Sequence, residues 1–161
     1  SLQKLFILNM EANHFSPERW LLQPIALSDQ TTKLYYQAGP ICNSGLGKLS
    51  EDPNAKYDCI VAVSSLDNLV DQKVVPIPTI LKLDIEGWEI KVLNGSKKLF
   101  LRHPPRLVIF EAFCNSDGEI LDKDLLSFFI SYGYSVRHIP RESGLILKSE
   151  NYVAVNPDGG T

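Results

Sequence analysis

The sequence predicts an α/β fold with a mostly parallel sheet covered by helices on both faces. From position 57 onward, short strand-like runs alternate with helical segments, which is the order that builds a parallel sheet. The run from Leu107 to Phe110 is apolar at every position, as expected of a strand buried on both faces. A chain of 161 residues has the length of one domain, so residues 1–161 are treated as a single domain.

The predicted helices and strands can be placed in order along the chain. Apolar residues in a stretch without glycine or proline predict a mostly buried helix over 1–13. Two short strands follow at 20–27 and 33–36, and then a loop over 38–56 that is rich in glycine, proline, asparagine and serine. Later strands are predicted at 59–63, 79–84, 106–113, 134–139 and 152–155, with helices at 65–70, 88–93, 96–101 and 123–132.

The composition excludes several classes of function. Hydrophobic residues make up 44% of the chain and charged residues 22%, which excludes wholesale disorder. The net charge is −3 without any block of lysine or arginine, so neither nucleic acid nor a membrane is an expected partner. No apolar stretch approaches the roughly 18 residues of a membrane span. Three widely spaced cysteines, Cys42, Cys59 and Cys114, form no disulfide framework and favour a reducing, cytoplasmic setting.

The segment LKLDIEGWE at 81–89 places charged side chains at the end of an apolar strand. Because strand side chains alternate between faces, Lys82 and Asp84 share one face of the predicted sheet. A buried lysine needs a carboxylate partner, and either Asp84 or Glu111 at the end of the next strand is placed to provide it. One interpretation is therefore structural: a buried ion pair that ties two strands together.

The other interpretation is functional, because ligands of open α/β sheets bind outside the carboxyl ends of the strands. Asp84, Glu86 and Glu111 all fall at such ends, and Gly87 allows a sharp turn into the next helix. Glu89, in the first turn of that helix, suits the helix dipole without a catalytic role. The carboxylates could hold a divalent metal that bridges a nucleotide-sugar diphosphate, or could position and deprotonate a substrate hydroxyl. The residues alone leave both chemistries open.

Several blocks of sequence resemble the FkbM family of methyltransferases in order and spacing. They are SLDNL at 65–69, ILKLDIEGWEIKVLNGSKKLF at 80–100, PPRLVIFE at 104–111 and YGY at 132–134. The most specific part is the pattern Lys-x-Asp-x-Glu-Gly-x-Glu, which begins at Lys82. The resemblance extends to IALSD at 25–29 and NYVAV at 151–155, so it covers nearly the whole chain.

The resemblance implies a Rossmann-like fold that uses S-adenosylmethionine to methylate a hydroxyl of a small molecule such as a sugar or a polyketide. It implies no metal ion at the site. The residues that it assigns are Ala26, Leu27, Ser28 and Asp84 for the cofactor, and Asp84, Glu86 and Glu111 for catalysis. A metal-dependent glycosyltransferase and a non-catalytic remnant that acts by self-association are the two alternatives.

The start of the chain departs from the family pattern. Proteins of this fold begin with a strand, a glycine-rich turn and a second strand that ends in an acidic residue. The first element predicted here is the helix that would follow that second strand. The expectation is an N-terminally incomplete domain, lacking the first two strands, that binds the cofactor weakly and is inactive alone. Exposed sheet edges are then expected to produce a homo-oligomer.

Overall fold

The fold is described from a computed structural model, which covers residues 2–40, 47–141, 144 and 146–157. Within these residues, eight strands form two four-stranded sheets. Cys42 and the middle of the loop predicted at 38–56 lie outside the described residues. None of the helices in this described part of the chain is long and apolar enough to cross a membrane.

The first sheet is built from the N-terminal half of the chain. In spatial order its strands are β1 (Ala26–Leu27), β4 (Cys59–Ser64), β2 (Thr32–Gln37) and β3 (Lys48–Ser50). Strand β1 runs parallel to β4, whereas β2 is antiparallel to both β4 and β3. The carboxyl end of β1 is therefore at the same edge of this sheet as the carboxyl end of β4.

The second sheet is built from the C-terminal half. In spatial order its strands are β5 (Ile80–Leu83), β6 (Leu107–Phe113), β8 (Ser149–Val155) and β7 (Ser135–His138). Strand β5 is parallel to β6, and β8 is antiparallel to both β6 and β7. The helices are α1 (Leu2–Ala12), α2 (Leu66–Asp71), α3 (Glu89–Asn94), α4 (Lys97–Arg102) and α5 (Lys123–Ser131).

The α/β class is confirmed, but the expectation of a mostly parallel sheet is wrong. Among the strands of the described residues, only the pairs β1–β4 and β5–β6 are parallel, and the other four pairings are antiparallel. The chain between β5 and β6 forms α3 and α4, which provide the crossover that parallel neighbours need. The described part of the connection from β7 to β8 contains no helix, which suits an antiparallel pair.

The main core lies between the second sheet and the helices α3, α4 and α5. Alternate residues of β6 point into this core, and Val108 and Phe110 are completely buried. Phe110 stacks on Phe129 of α5 with 4.7 Å between the ring centroids. Leu107 and Ile109, on the opposite face of β6, are only half-buried. The expected burial of this run on both faces is therefore wrong.

Most predicted elements match the structure within a few residues. The helix predicted at 1–13 is present as α1, but its expected burial is wrong, because Leu5 and Leu8 are each 57% exposed. The strand predicted at 20–27 is limited to β1, which follows Pro24, a residue without the N–H group that a strand ladder uses. Strand β3 falls inside the predicted loop, and β8 begins three residues before the predicted start at 152.

Candidate active site

A cavity of about 640 Å³ lies between the two sheets. This volume is within the range of ligand-binding clefts, which is about 300–1,000 Å³. Ala26 and Leu27, assigned to the cofactor by sequence, border the same cavity as Asp84 and Glu86, assigned to catalysis. The other lining residues are Gln3, Gln23, Pro24, Ile25, Tyr36, Gly47, Leu49, Val61, Lys82, Leu83, Ile85 and Trp88.

We call this cavity of about 640 Å³ the larger cavity. Ser28, the third residue assigned to the cofactor, lies behind its wall. It is completely buried, and its backbone N–H donates to the carbonyl oxygen of Ser64 at 3.0 Å. Its hydroxyl accepts a hydrogen bond from the indole N–H of Trp88 at 3.3 Å. Because Trp88 lines the cavity, Ser28 holds a wall residue in place in this structure. Its contact with a cofactor stays a prediction.

The end of α3 approaches β1 closely because residue 95 is glycine. A Cβ atom at Gly95 would lie 2.1 Å from the carbonyl oxygen of Ser28, far inside van der Waals contact. The backbone N–H of Asp67 donates to the carbonyl oxygen of Gly95 at 3.0 Å, which joins α2 to the end of α3. Gly95 therefore allows the end of α3 to pack closely against the residue that follows β1.

The three carboxylates assigned to catalysis converge at the end of the second sheet. Oxygen atoms of Asp84, Glu86 and Glu111 all lie within 4.8 Å of one another. Asp84 follows β5 directly, and the register of the parallel pair β5–β6 sets Leu83 beside Phe110. The next residue on each strand is one of the carboxylates, so strand pairing brings Asp84 and Glu111 together. We call these three residues the carboxylate cluster; their catalytic roles stay predictions.

A second, smaller cavity of about 170 Å³ also borders the carboxylate cluster. Its lining includes Glu86, Glu111, Asp122 and Ser149. The hydroxyl of Ser149 donates to Glu111 Oε1 at 2.7 Å, which fixes the direction of that carboxylate. Glu86 lines both the larger and the smaller cavity. It is therefore the residue at which the two cavities meet.

Lys82 does not occupy the buried position expected from the sequence. Its Nζ lies 2.7 Å from Asp84 Oδ2, so Asp84 is its partner, but its side chain is 62% exposed. The reason is that β5 has only β6 as a neighbour among the described strands, so one side of β5 faces the larger cavity. An exposed ion pair of this kind contributes about 0–1 kcal/mol to stability.

The turn between β5 and α3 has an unusual backbone. Glu86 has a φ of 55° and Gly87 a φ of 87°, so two consecutive residues are left-handed. Glu89 is only 5% exposed, and its Oε1 accepts a hydrogen bond from the backbone N–H of Ile85 at 3.1 Å. Burial raises the pKa of Glu89, and hydrogen bonds from backbone N–H groups in the turn oppose that rise.

Two residues of the site were missed by the sequence analysis. The sequence connects Glu89 only with the helix dipole, although a carboxylate three residues after Glu86 is in reach of the turn's N–H groups. Ser149 precedes the strand that the sequence predicts to begin at 152. Extending the predicted strand back by three residues and applying the two-residue alternation of strands places Ser149 on the face opposite Glu150.

Comparisons with known proteins agree with the resemblance. The family model of the methyltransferase FkbM domain matches residues 11–136, which is more than half of the chain. The hexuronic acid methyltransferase AglP of Haloferax volcanii is 33% identical over 69 residues, which cover 43% of this chain and 27% of that relative. The match thus spans about a quarter of the relative's length. No solved structure matches the chain. By the extent of the family match, the chain belongs to the FkbM methyltransferase domain family.

Proposed function

We propose that this protein is an S-adenosylmethionine-dependent O-methyltransferase that acts on a hydroxyl of a small molecule. The observation that carries the proposal is the position of Glu86, which lines both cavities. A methyl transferase needs a donor site and an acceptor site that meet at the reacting atoms. Membership of the FkbM methyltransferase domain family supports methyl transfer as the reaction.

The larger cavity fits the methyl donor in size and in chemistry. Leu27, Val61 and Trp88 provide apolar walls for an adenine ring, and Asp84 and Glu86 provide negative charge at the edge of the cavity. S-Adenosylmethionine supplies an electrophilic methyl group and carries a positive sulfonium, which nearby carboxylates complement. In this assignment Ala26 and Leu27 lie along the adenosine, while Asp84 faces the charged end.

The smaller cavity is proposed as the acceptor site. Glu86 would accept a hydrogen bond from the acceptor hydroxyl and take its proton, which leaves an electron pair on the acceptor oxygen for the new bond to the methyl carbon. The bond between that carbon and the donor's sulfur would break, with its electron pair staying on sulfur in a neutral thioether that leaves. Asp84 is paired with Lys82, so Glu86 is the better base. Glu111, directed by Ser149, accepts a second hydrogen bond from the acceptor and orients it.

A neutral, hydroxyl-rich molecule is the acceptor class that we propose, with a sugar ahead of a polyketide. The relative named for hexuronic acid supports a sugar. Glu86, Glu111 and Asp122 border the smaller cavity. These carboxylates accept hydrogen bonds from hydroxyl groups, whereas an acceptor carboxylate beside them would be repelled. An uncharged ring therefore suits this site better than a hexuronic acid whose carboxylate enters it.

The experiment is a transfer assay with S-adenosylmethionine labelled in its methyl group. The complete gene product that carries these residues is incubated with neutral sugars, hexuronic acids and polyketide lactones, with and without a metal chelator. We expect label transfer to a hydroxyl of a neutral acceptor that the chelator leaves unchanged. Manganese-dependent binding of a nucleotide sugar without methyl transfer would favour a glycosyltransferase. Binding of neither ligand would favour a non-catalytic protein.

We propose in addition that the chain self-associates. Strands β1 and β5 each have a single neighbour among the described strands, and Ile80 on β5 is 62% exposed. Open strand edges with apolar side chains pair readily with a second copy. Light scattering of the 161-residue chain should detect a dimer or a larger species. A mass of 18.0 kDa at high protein concentration would contradict this proposal.

We also propose a cytoplasmic location, because the described cysteines are free thiols. Cys59 and Cys114 are both free thiols in the structure, and Cys114 is buried in the core. Unpaired thiols persist most readily in a reducing compartment. Cell fractionation tests the location, and recovery of the protein with an extracellular or membrane fraction would contradict it.

A further inference from the structure

The turn after β5 holds Glu86 in a conformation that a non-glycine residue seldom adopts. A left-handed residue with a side chain costs about 1–2 kcal/mol, and Glu86 has a φ of 55°. Such a conformation persists only when the surrounding structure determines it. Glu86 also belongs to the carboxylate cluster and lines both cavities, so the cost falls on the residue proposed as the base.

The side chain of Glu89 lies where it can hold this turn. Its Oε1 accepts a hydrogen bond from the N–H of Ile85 at 3.1 Å, and N–H groups of Gly87 and of Glu89 itself also stabilise its negative charge. Glu89 is 5% exposed, so water competes little for these bonds. The backbone of Glu89 opens α3, which packs on the core through Val92 and Leu93. Glu89 therefore joins α3, which is packed on the core, to the left-handed turn through its carboxylate.

From this geometry we propose that Glu89 is a positioning residue. Its carboxylate fixes the backbone of the turn at Ile85 and Gly87, on either side of Glu86. With both sides fixed, the side chain of Glu86 is directed toward Asp84 and Glu111 at the junction of the two cavities. The geometric part of this proposal stands alone, and only its catalytic consequence rests on the proposed function.

Stability by itself does not account for a carboxylate at this position. The pKa of Glu89 is raised above its ordinary value of 4.5, first by burial and also by the charge of Glu111. A raised pKa means that the folded state holds the proton more tightly than the unfolded state does. The contribution of Glu89 to stability therefore falls as the pH rises above about 4.5, and its charge is unfavourable to folding at neutral pH. A carboxyl group whose ionised form is disfavoured by burial therefore fits a positioning role better than a stabilising one.

Nuclear magnetic resonance on the 161-residue chain tests the geometric part. In Glu89→Gln, we expect the amides of Ile85 and Gly87 to exchange with solvent at least about 10-fold faster, because an amide side chain cannot accept as many hydrogen bonds as a carboxylate. The matched control is Glu150→Gln, which alters another buried glutamate in β8. That variant should change the exchange of these two amides by less than about 2-fold.

Carboxyl carbon shifts report whether Glu86 stays in the carboxylate cluster. In the protein with Glu89, the substitution Glu86→Gln should shift the carboxyl signals of Asp84 and Glu111, because these atoms lie within 4.8 Å. In the Glu89→Gln background, the same substitution should shift those signals less than half as much. A role limited to general stability would leave the two shifts equal in both backgrounds.

Kinetics of the complete gene product test the catalytic consequence. We expect Glu89→Gln to lower kcat about 10- to 100-fold while the KM for donor and acceptor changes less than about 2-fold. If Glu89 acts through Glu86, the double variant Glu86→Gln/Glu89→Gln should be no slower than Glu86→Gln alone.

Three results would overturn the proposal. The first is solvent exchange of the Ile85 and Gly87 amides in the unaltered protein at the rate of exposed amides, a measurement that needs no variant to fold. The second is that Glu86→Gln shifts the carboxyl signals of Asp84 and Glu111 equally with and without Glu89→Gln. The third is that the losses of kcat add in the double variant. Absence of methyl transfer in the unaltered protein would refute the proposed function, while the resonance measurements still decide whether Glu89 holds Glu86.

Discussion

The indole N–H of Trp88 donates to the hydroxyl of Ser28 across 3.3 Å and joins the start of α3 to the end of β1. The two residues are 60 positions apart and belong to the strand ends of different sheets. Lys91 lies over the same indole ring, with its Nζ 5.7 Å from the ring centroid. Trp88 is therefore held from both sides while it lines the larger cavity.

Trp88→Phe should separate the hydrogen bond from the packing of this side chain. The phenyl ring keeps the apolar wall but has no N–H, so the free energy of unfolding should fall by about 1 kcal/mol. The affinity for S-adenosylmethionine should fall a few-fold. Trp20→Phe is the control, because the buried Trp20 Nε1 has no hydrogen-bond partner within the described part of the chain. A larger loss of stability in Trp20→Phe than in Trp88→Phe would contradict this account.

Gly95→Ala should push the end of α3 away from the residue that follows β1. The new Cβ would meet the backbone oxygen of Ser28 at 2.1 Å, and backbone cannot rotate away as a side chain can. We expect a loss of about 2–3 kcal/mol in the free energy of unfolding, measured by urea denaturation. Gly133→Ala is the control: it meets nothing within 4 Å and should lose only about 1 kcal/mol from its left-handed backbone. Equal losses in both variants would show that the approach at Gly95 is not tight.

The sequence was sufficient for the elements near the active site and insufficient for the pairing of the strands. Apolar periodicity and the strand-end position predicted β5, α3 and β6, and with them the convergence of Asp84 and Glu111. Strand order depends on contacts between distant residues, such as β8 between β6 and β7, which no local pattern encodes. The exposure of Lys82 was missed for the same reason, because it depends on which neighbour β5 has.

Lys82→Met should have little effect on folding. The ion pair with Asp84 is exposed, so its loss should change the free energy of unfolding by less than about 1 kcal/mol. Thermal unfolding of the variant beside the unaltered chain measures the difference. A loss of several kcal/mol at a protein concentration where light scattering detects only the monomer would show that Lys82 is desolvated within the single chain, as the sequence predicts.

Because of Glu150, the free energy of unfolding should decrease as the pH falls into the acid range. This buried carboxylate accepts hydrogen bonds from the N–H of Leu147 at 2.7 Å and from Arg141 Nε at 2.9 Å, which lower its pKa below the ordinary 4.5. The stabilisation is therefore complete above about pH 4.5 and is lost as the pH falls through the lowered value. Glu150→Gln should be less stable at pH 7, and the difference should shrink below pH 4.5 in urea denaturation. A constant difference between pH 3 and pH 8 would contradict the lowered pKa.

The most direct measurement of the central claim compares Glu86→Gln with a matched exposed variant, Glu119→Gln, in the complete gene product. Glu119 lies in the loop before α5, where it pairs with Asn115. Loss of the proposed base should reduce kcat for methyl transfer about 10²- to 10⁴-fold, with thermal stability nearly unchanged, while Glu119→Gln keeps full activity. Full methyl transfer by Glu86→Gln would contradict the claim that the reaction takes place where the two cavities meet.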